Sequence, residues 1–501
     1  MVNDVNWFEG RVKLTPKETA IVDAKTNKSW TYEQLHERVM KLTAIFHAKG
    51  VKKGDRVGLL SPNDISYFDF FFACMKIGAI FVPFNWRLAT SELNYCLNDS
   101  APILVGASPN FAAKLAVCDH QVNTLIIEHD DYLEKEIISG FIDTETKMEE
   151  IDPLAMIYTG GTTGRPKGVI LSHRSILWNA LNTITSWGLT KDDVTLTCLP
   201  MFHTGGLNVL SLPLLLVGGK VVLRSDFDPE QVMSDINKHQ CTVVMLVPTM
   251  YHMIIESETF RTTEFPSMKL FVSGGAPCPL RVYQAFLDKG IVFKEGYGLT
   301  EAGPNNFYID LSDVMNKMGS VGKPMLFNEI KIVAEDSLHA GTDEVGELYV
   351  RGNHAFMYYW NRPEETEETL VDGWVRTGDL ARQDADGYVY IVGRKKDMII
   401  TGGENVYPLE IEHWLESHPD ISEAAVVGMP DEKWGEAVTA FIVSESKLTP
   451  EELEAYCNEQ LTRYKVPKQF IFIEELPKTD VGKVNKNLLK ESYSKPNKSL
   501  L

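Results

Sequence analysis

Cysteine is scarce and scattered in this chain: seven in 501 residues, at positions 74, 96, 118, 198, 241, 278 and 457, with no CxxC pair. That spacing indicates neither a zinc site nor a disulfide framework, and it predicts reduced thiols in a cytoplasmic protein. Basic charge is short as well: 49 Lys and Arg stand against 69 Asp and Glu, for a formal net charge of −20. A nucleic acid or an anionic membrane as the main partner would need a basic surface, so both are excluded in that role, while a local patch leaves room for peripheral membrane contact. Long apolar runs are also missing. Phe68 to Phe84 is interrupted by Asp69 and Lys76, and Leu207 to Leu223 by Pro213, Gly218, Gly219 and Lys220. Neither reads as a transmembrane segment; both read as buried helix–strand units. The first ten residues carry acids and a tryptophan but no basic region followed by an apolar core, which argues against export. What is present is a chain that is 44% hydrophobic and long enough for more than one domain: a soluble globular protein.

Apolar periodicity gives the elements. Thr31 and Gln34 form a capping-box pattern, Leu35, Val39, Leu42 and Phe46 share one helical face, and Gly50 ends that helix. Strands are predicted at Arg56 to Leu60, Leu154 to Ile157, Val221 to Arg224, Thr242 to Val247, Lys269 to Ser273 and Val292 to Glu295. Helices fall between the later ones, at Pro229 to His239, Pro248 to Ser257 and Leu280 to Lys289. Such alternation makes mostly parallel sheets flanked by helices. From about Gly319 to Gly393 the pattern changes to short β-type runs, including Glu329 to Val333, Gly346 to Arg351 and Tyr388 to Val392. After Arg394 it changes again, to helices at Tyr407 to Ser417 and Pro450 to Leu461 with strands at Ala424 to Gly428, Val438 to Val443 and Gln469 to Ile473. The expected fold class is therefore α/β. A large N-terminal domain, residues 1–395, holds flanked sheets plus a β-rich subdomain, and a small α+β C-terminal domain spans 396–501. There is no internal repeat, and Ser492 to Leu501 reads as a disordered tail.

A glycine-rich run, Tyr158-Thr159-Gly160-Gly161-Thr162-Thr163-Gly164-Arg165-Pro166-Lys167-Gly168, leaves the end of the predicted strand Leu154 to Ile157. The glycines let backbone N–H groups approach an anion, the threonines add donors and Lys167 adds a compact charge, all of which suits a polyphosphate. A Walker A loop needs Gly-Lys-Ser/Thr after four residues; here Lys167 follows proline and precedes glycine, so that reading fails. On its own the run is as often an ordinary turn. Four further runs follow: Tyr297-Gly298-Leu299-Thr300-Glu301, Thr377-Gly378-Asp379, Arg394 to Pro408, and Pro477-Lys478-Thr479-Asp480-Val481-Gly482-Lys483.

In that order over nearly the whole chain, these motifs resemble the AMP-forming adenylation superfamily, and the likeness is closest to bacterial fatty-acyl-CoA ligases. The resemblance implies ATP, Mg2+ and coenzyme A as reactants and cofactor, and a mobile C-terminal domain. It implies that Thr159 to Gly164 and Lys167 cradle the β- and γ-phosphates, with Gly160 standing where many members have serine. Tyr297, after a strand end with Glu295 and Gly296, offers a flat face to adenine. Thr300 can reach a phosphate, and Glu301, with Thr159, can hold magnesium. By composition alone Tyr297 to Glu301 fits equally a buried tyrosine ahead of a capping Thr-Glu pair. Gly274-Gly275-Ala276 resembles the wall beside adenine, or else is a plain strand-to-helix turn. Asp379 and Arg394 match the family's ribose contacts; an Asp after glycine is otherwise a turn former. Lys483 resembles the catalytic lysine between carboxylate and α-phosphate, Lys396 the hinge, and Gly402-Gly403-Glu404-Asn405 the loop that leaves room for a pantetheine arm.

Pro200-Met201-Phe202-His203-Thr204-Gly205-Gly206 matches the motif leading to the acyl pocket, where His203, Gly205, Gly206, Leu207 and Gly298 are the expected lining. Amino-acid-activating members carry aspartate where His203 stands, so an ammonium-bearing substrate is not indicated. Leu207 to Leu216 is apolar, as a hydrophobic acid requires and as a core helix also would be. No carrier module follows Lys483, which points to a diffusible thiol, coenzyme A; Arg463, Lys465 and Lys468 are weak candidates for its phosphates. The expected function is an acid–CoA ligase for medium- or long-chain fatty acids. The alternatives are an aryl-acid CoA ligase of the 2-succinylbenzoate type and a catalytically silent nucleotide-binding homologue. Monomer and homodimer both stay open.

Overall fold

The computed structural model describes residues 4–129, 131–134, 147–160, 165–334, 339–444, 446–479 and 483–494. Among them the first predicted helix forms over Tyr32–Ala48, closed at its start by the Thr31 and Gln34 capping box, with Leu35, Val39, Leu42 and Phe46 buried. Ser66–Ile77 is a helix buried on all sides, its Phe68, Phe70, Phe71 and Phe72 being at most 1% exposed. Each such phenylalanine contributes about 1.5–3 kcal/mol. Asp69, the charge that breaks this apolar run, is also buried, and Arg38 (2.7 Å) and Tyr132 (3.0 Å) hold it. A buried carboxylate is tolerated only with such partners. No described helix is long and apolar enough to cross a membrane.

Among the described residues a seven-stranded sheet runs Tyr358–Tyr359, Lys167–Ser172, Pro153–Thr159, Ile80–Pro83, Arg56–Leu60, Leu104–Ala107, Asn123–Ile126. It is parallel from Pro153–Thr159 onward and antiparallel at the two strands before it. Val243–Leu246, Leu270–Ser273 and Phe293–Glu295 make a three-stranded parallel sheet. A four-stranded sheet, Ser29–Thr31, Thr19–Asp23, Lys220–Leu223 and Val194–Thr197, is parallel except at its first pair. The β-rich part is a five-stranded antiparallel sheet built on Gly346–Arg351 and Trp374–Gln383, with Val389–Arg394 beside the latter. The α/β class with mixed sheets is thus present.

Past Arg394, the long hairpin Ile421–Asp431 and Gly435–Ser444 carries the helices Pro408–Glu416, Pro450–Gln460 and Lys486–Ser494. Two cores lie wholly here, one around Ile399, Ile411 and Val426, the other around Val427, Phe441 and Leu489. Two expectations change. Ser492 to Ser494 belong to the last helix, whose Leu489 is buried against the hairpin; residues 495–501 lie outside the described residues. Leu207 to Leu216 is not one helix, because Thr204–Asn208 ends before Ser211–Val217 begins. All seven cysteines are buried and unpaired.

Candidate active site

The glycine-rich run is a hairpin connection. Strand Pro153–Thr159 pairs antiparallel with Lys167–Ser172, and Thr159 faces Lys167 as the last pair. Gly161, Thr162, Thr163 and Gly164 lie outside the described residues. At Gly160 a side chain would meet nothing among the described residues. Lys167 Nζ stands 5.0 Å from the ring of Tyr359. That tyrosine's hydroxyl donates to Glu301 Oε1 at 2.8 Å, and the Glu301 carbonyl accepts from the Phe356 N–H. Lys167 and Glu301, distant in sequence, therefore share one aromatic neighbour.

Two adjacent parallel strands, Leu270–Ser273 and Phe293–Glu295, end together and release the turns Gly274-Gly275-Ala276 and Gly296-Tyr297-Gly298. A Cβ on Gly274 would stand 2.7 Å from Met245 Cε and 3.3 Å from the Gly296 carbonyl oxygen; on Gly298 it would stand 2.1 Å from the Pro304 carbonyl oxygen. Gly298 lies against backbone that leaves no room for a side chain, and Gly274 sits close to the neighbouring turn. Tyr297 is fixed by its hydroxyl, which donates to Asp379 Oδ2 at 2.6 Å, while its ring meets Phe307 edge-on. Arg394 Nε pairs with Asp379 Oδ1 at 2.7 Å, the two residues being register partners on neighbouring strands. Burial pushes the Asp379 carboxyl up, and Arg394, Tyr297 and Lys483 pull it back. Thr300 is buried beside Glu301.

Lys483 joins these pieces. It is an exposed residue whose charge is felt by both Asp379 and His203; desolvation first, and then the charge of Arg394 and of Lys396, lower its own pKa. Asp379 and Glu301 act in the opposite sense. His203, the residue ahead of the short helix Thr204–Asn208, is brought down to about 4 by burial and by the Lys483 charge. It is therefore a neutral imidazole at pH 7, able to hydrogen-bond but carrying no charge. The small domain is held in this position in part by Arg281, whose Nη2 donates to the Ser422 carbonyl at 2.9 Å across the two parts of the chain.

The AMP-binding enzyme family model matches residues 8–360, and the model of the AMP-binding enzyme C-terminal domain matches 410–483. The chain belongs to the AMP-binding enzyme family. Among its relatives, a feruloyl-CoA synthase of an Amycolatopsis species is 37% identical, over 97% of this chain and 98% of that one. The long-chain-fatty-acid–CoA ligase FadD13 of Mycobacterium tuberculosis is 34% identical, over 98% and 99%. The solved O-succinylbenzoate coenzyme A synthetase of Bacillus subtilis, in complex with its acyl-adenylate, superposes with a TM-score of 0.87 at 32% identity, covering 97% of this chain and 98% of that one. That protein with ATP and a magnesium ion gives the same score. The present AMP-binding enzyme is an AMP-forming ligase of the acyl-CoA synthetase group.

Not every expected residue of this AMP-binding enzyme meets the cluster. The Glu295 carboxylate accepts from Tyr283 at 2.9 Å and from the Cys278 N–H, on the side of the helix Leu280–Leu287, and burial raises it to about 7. Any part it takes at the turn falls to its main chain. Gly206 packs so tightly that a Cβ would lie 2.5 Å from the Leu199 and Pro200 carbonyl oxygens, while Gly205 has more room and Leu207 is buried. Lys396 sits in a single 3-10 turn, Lys395–Asp397. Gly402 and Gly403, both with positive φ, turn the hairpin before Glu404, and Gly402 N–H donates to the Trp434 carbonyl within the small domain. Of the weak candidates for the coenzyme A phosphates, Lys465 is engaged by Glu410 at 2.7 Å. Tyr359 and Arg281 were not found from sequence, and neither sits in a motif that would have signalled it. Magnesium binds through one or two carboxylates plus substrate phosphates and water. Glu301 fits that demand, with Tyr359 on one oxygen only, although no group of three or more candidate ligands occurs among the described residues.

Proposed function

We propose that the protein joins a carboxylic acid to coenzyme A in two steps. The carboxylate attacks the α-phosphorus of ATP and releases pyrophosphate; the thiol then attacks the acyl carbon and releases AMP. The observation that carries this reading is the network of Tyr297, Asp379 and Arg394 at the Gly296 turn, with Lys483 near enough for its charge to act on Asp379 and His203. Two anions react only if a positioned cation neutralises them as charge moves to the leaving group. In this reading Lys483 stands between carboxylate and α-phosphate. Asp379, oriented by Tyr297 and Arg394, accepts the ribose hydroxyls with its remaining lone pairs. Tyr297 faces adenine beside Gly274, Gly275, Ala276, Gly296 and Gly298. Thr159 to Gly164, Lys167 and Thr300 hold the phosphates. Glu301, with Thr159, would hold Mg2+, which when bound screens the phosphate charge.

The second step needs the thiol where Lys483 stands. The small domain, proposed to begin at residue 396, therefore turns about Lys396 and presents Gly402, Gly403 and Glu404 to the pantetheine arm. The acid enters beside His203, Gly205, Gly206, Leu207 and Gly298. Medium- or long-chain fatty acids are supported by the apolar lining and by the FadD13 likeness; aryl acids are supported equally by the feruloyl-CoA and succinylbenzoate relatives. Seven buried thiols suit a cytoplasmic enzyme. The test is pyrophosphate release with a panel of fatty and aryl acids, followed by thioester formation on adding coenzyme A. Release with at least one acid is expected. Tight ATP binding with no release from any acid would favour the silent homologue instead.

A further inference from the structure

One rung of the three-stranded parallel sheet consists of Met245, Val272 and Lys294, paired Cα to Cα and so pointing to one face. Met245 borders a cavity of about 10 Å³ together with Gly205, Gly206, Leu210 and Ser211, and Val272 belongs to the same core as Leu207 and Val209. The residues flanking Lys294, Phe293 and Glu295, face the opposite side, where Tyr283 lies. Lys294 therefore ends the row that runs along the wall of the expected acyl pocket.

Lys294 is 2% exposed. Among the described residues its ammonium has no hydrogen-bond acceptor and no ion-pair partner; it stands over the rings of Trp187 at 4.2 Å and Tyr308 at 5.0 Å. Asp310 influences it from a distance, but that carboxylate is exposed and accepts from Ser312 and Tyr308. Burial brings the lysine down to about 7. An ammonium placed in a core without an anion is costly, and apolar residues would fill the space better. Lys294 lies three positions before Tyr297, which puts it within about 10 Å of the nucleotide turn.

We propose that Lys294 closes the deep end of the acyl site and binds an oxygen at the far end of the acid, a second carboxylate or a phenolic hydroxyl, between the Trp187 and Tyr308 rings. Under the ligase reading, on which this rests, the ω-oxygen restores the missing partner of the ammonium. A plain alkanoate would bury that charge further and give nothing in return. Lys294 is then the residue that selects oxygenated acids over hydrocarbon tails.

The experiment uses two matched pairs, cinnamate with 4-hydroxycinnamate and octanoate with octanedioate, on the wild type, Lys294→Met and Lys294→Gln. Gln keeps length and polarity should Met not fold. For at least one pair the wild type is expected to favour the oxygenated member by on the order of a hundredfold in kcat/KM, because an unpaired buried donor rejects the analogue that lacks its acceptor. Which pair responds tells carboxylate from phenol. Both variants should bring the ratio close to one while KM for ATP stays unchanged. Equal turnover of both members of each pair by the wild type, or an equal fall for both in the variants, overturns the proposal. Calorimetry separates the two readings: binding of the oxygenated acids that depends on Lys294, with no pyrophosphate released, refutes the ligase alone, and neither binding nor release refutes both.

Discussion

Removing the Lys483 ammonium is expected to divide the two steps. Lys483→Ala should lose adenylation, measured as pyrophosphate release, by several orders of magnitude, and should still convert a supplied acyl-adenylate to the thioester; near-normal release would show that another cation does the work. A second residue-scale expectation concerns Glu416. Burial, with Glu412 and Glu423 nearby, raises its carboxyl from 4.5 to about 8. The folded state thus binds this proton more tightly than the unfolded chain. The associated stability is complete below pH 4.5 and is lost as pH rises through about 8. Melting temperature measured from pH 5 to 8 should fall with pH less steeply in Glu416→Gln, which can still accept from the Ala424 N–H; parallel curves would mean that Glu416 ionises normally. At this scale the sequence was most informative where chemistry sits in short runs, such as Tyr297 to Glu301. Tyr359 and Lys294 were invisible because their meaning comes from partners assembled by the fold: Glu301 and Lys167 for the one, two aromatic rings and no anion for the other.

Elements were legible to within a residue or two at Arg56–Leu60, Pro229–Lys238 and Gly346–Arg351: the helix by the period of its buried Val232, Met233 and Ile236, the strands as short, largely buried apolar runs of strand length. Breaks inside stretches buried on every side were not, since buried polar residues give no phase; in Leu207 to Leu216 both Asn208 and Ser211 are buried, and the interruption after Asn208 stayed hidden. The hairpin nature of the glycine-rich run was missed too, because Lys167–Ser172 resembles any buried strand and its antiparallel partner is set by tertiary pairing. Tight turns make the element-scale prediction. Gly298→Ala would drive a Cβ to 2.1 Å from the Pro304 carbonyl oxygen, and backbone must move. The cost is expected to be about 1–3 kcal/mol in urea unfolding, with adenylation lost by at least as large a factor because Tyr297 moves with the turn. Gly160→Ala, whose Cβ meets nothing among the described residues, should leave stability unchanged.

Across the whole molecule, Arg281 ties the small domain, which carries Lys483, to the large one through Ser422. Arg281→Ala is expected to slow pyrophosphate release about tenfold, the worth of a charge-assisted hydrogen bond, while thioester formation from supplied acyl-adenylate is unchanged or faster. Equal slowing of both would mean that Arg281 serves the fold alone. Lys396→Pro tests the turn. Proline's φ of about −65° suits a 3-10 turn, so adenylation should survive in part despite the restriction on Lys395, and thioester formation should fall by orders of magnitude; full overall activity would exclude rotation there. The seven buried cysteines give this motion a convenient observable. With every native thiol shielded, and desolvation holding thiols such as Cys74, Cys198 and Cys457 protonated, the folded enzyme should resist maleimides at neutral pH. One cysteine introduced on each side of Lys396 could then carry a fluorophore pair without stripping the natural background, so that distance could be followed through a single turnover.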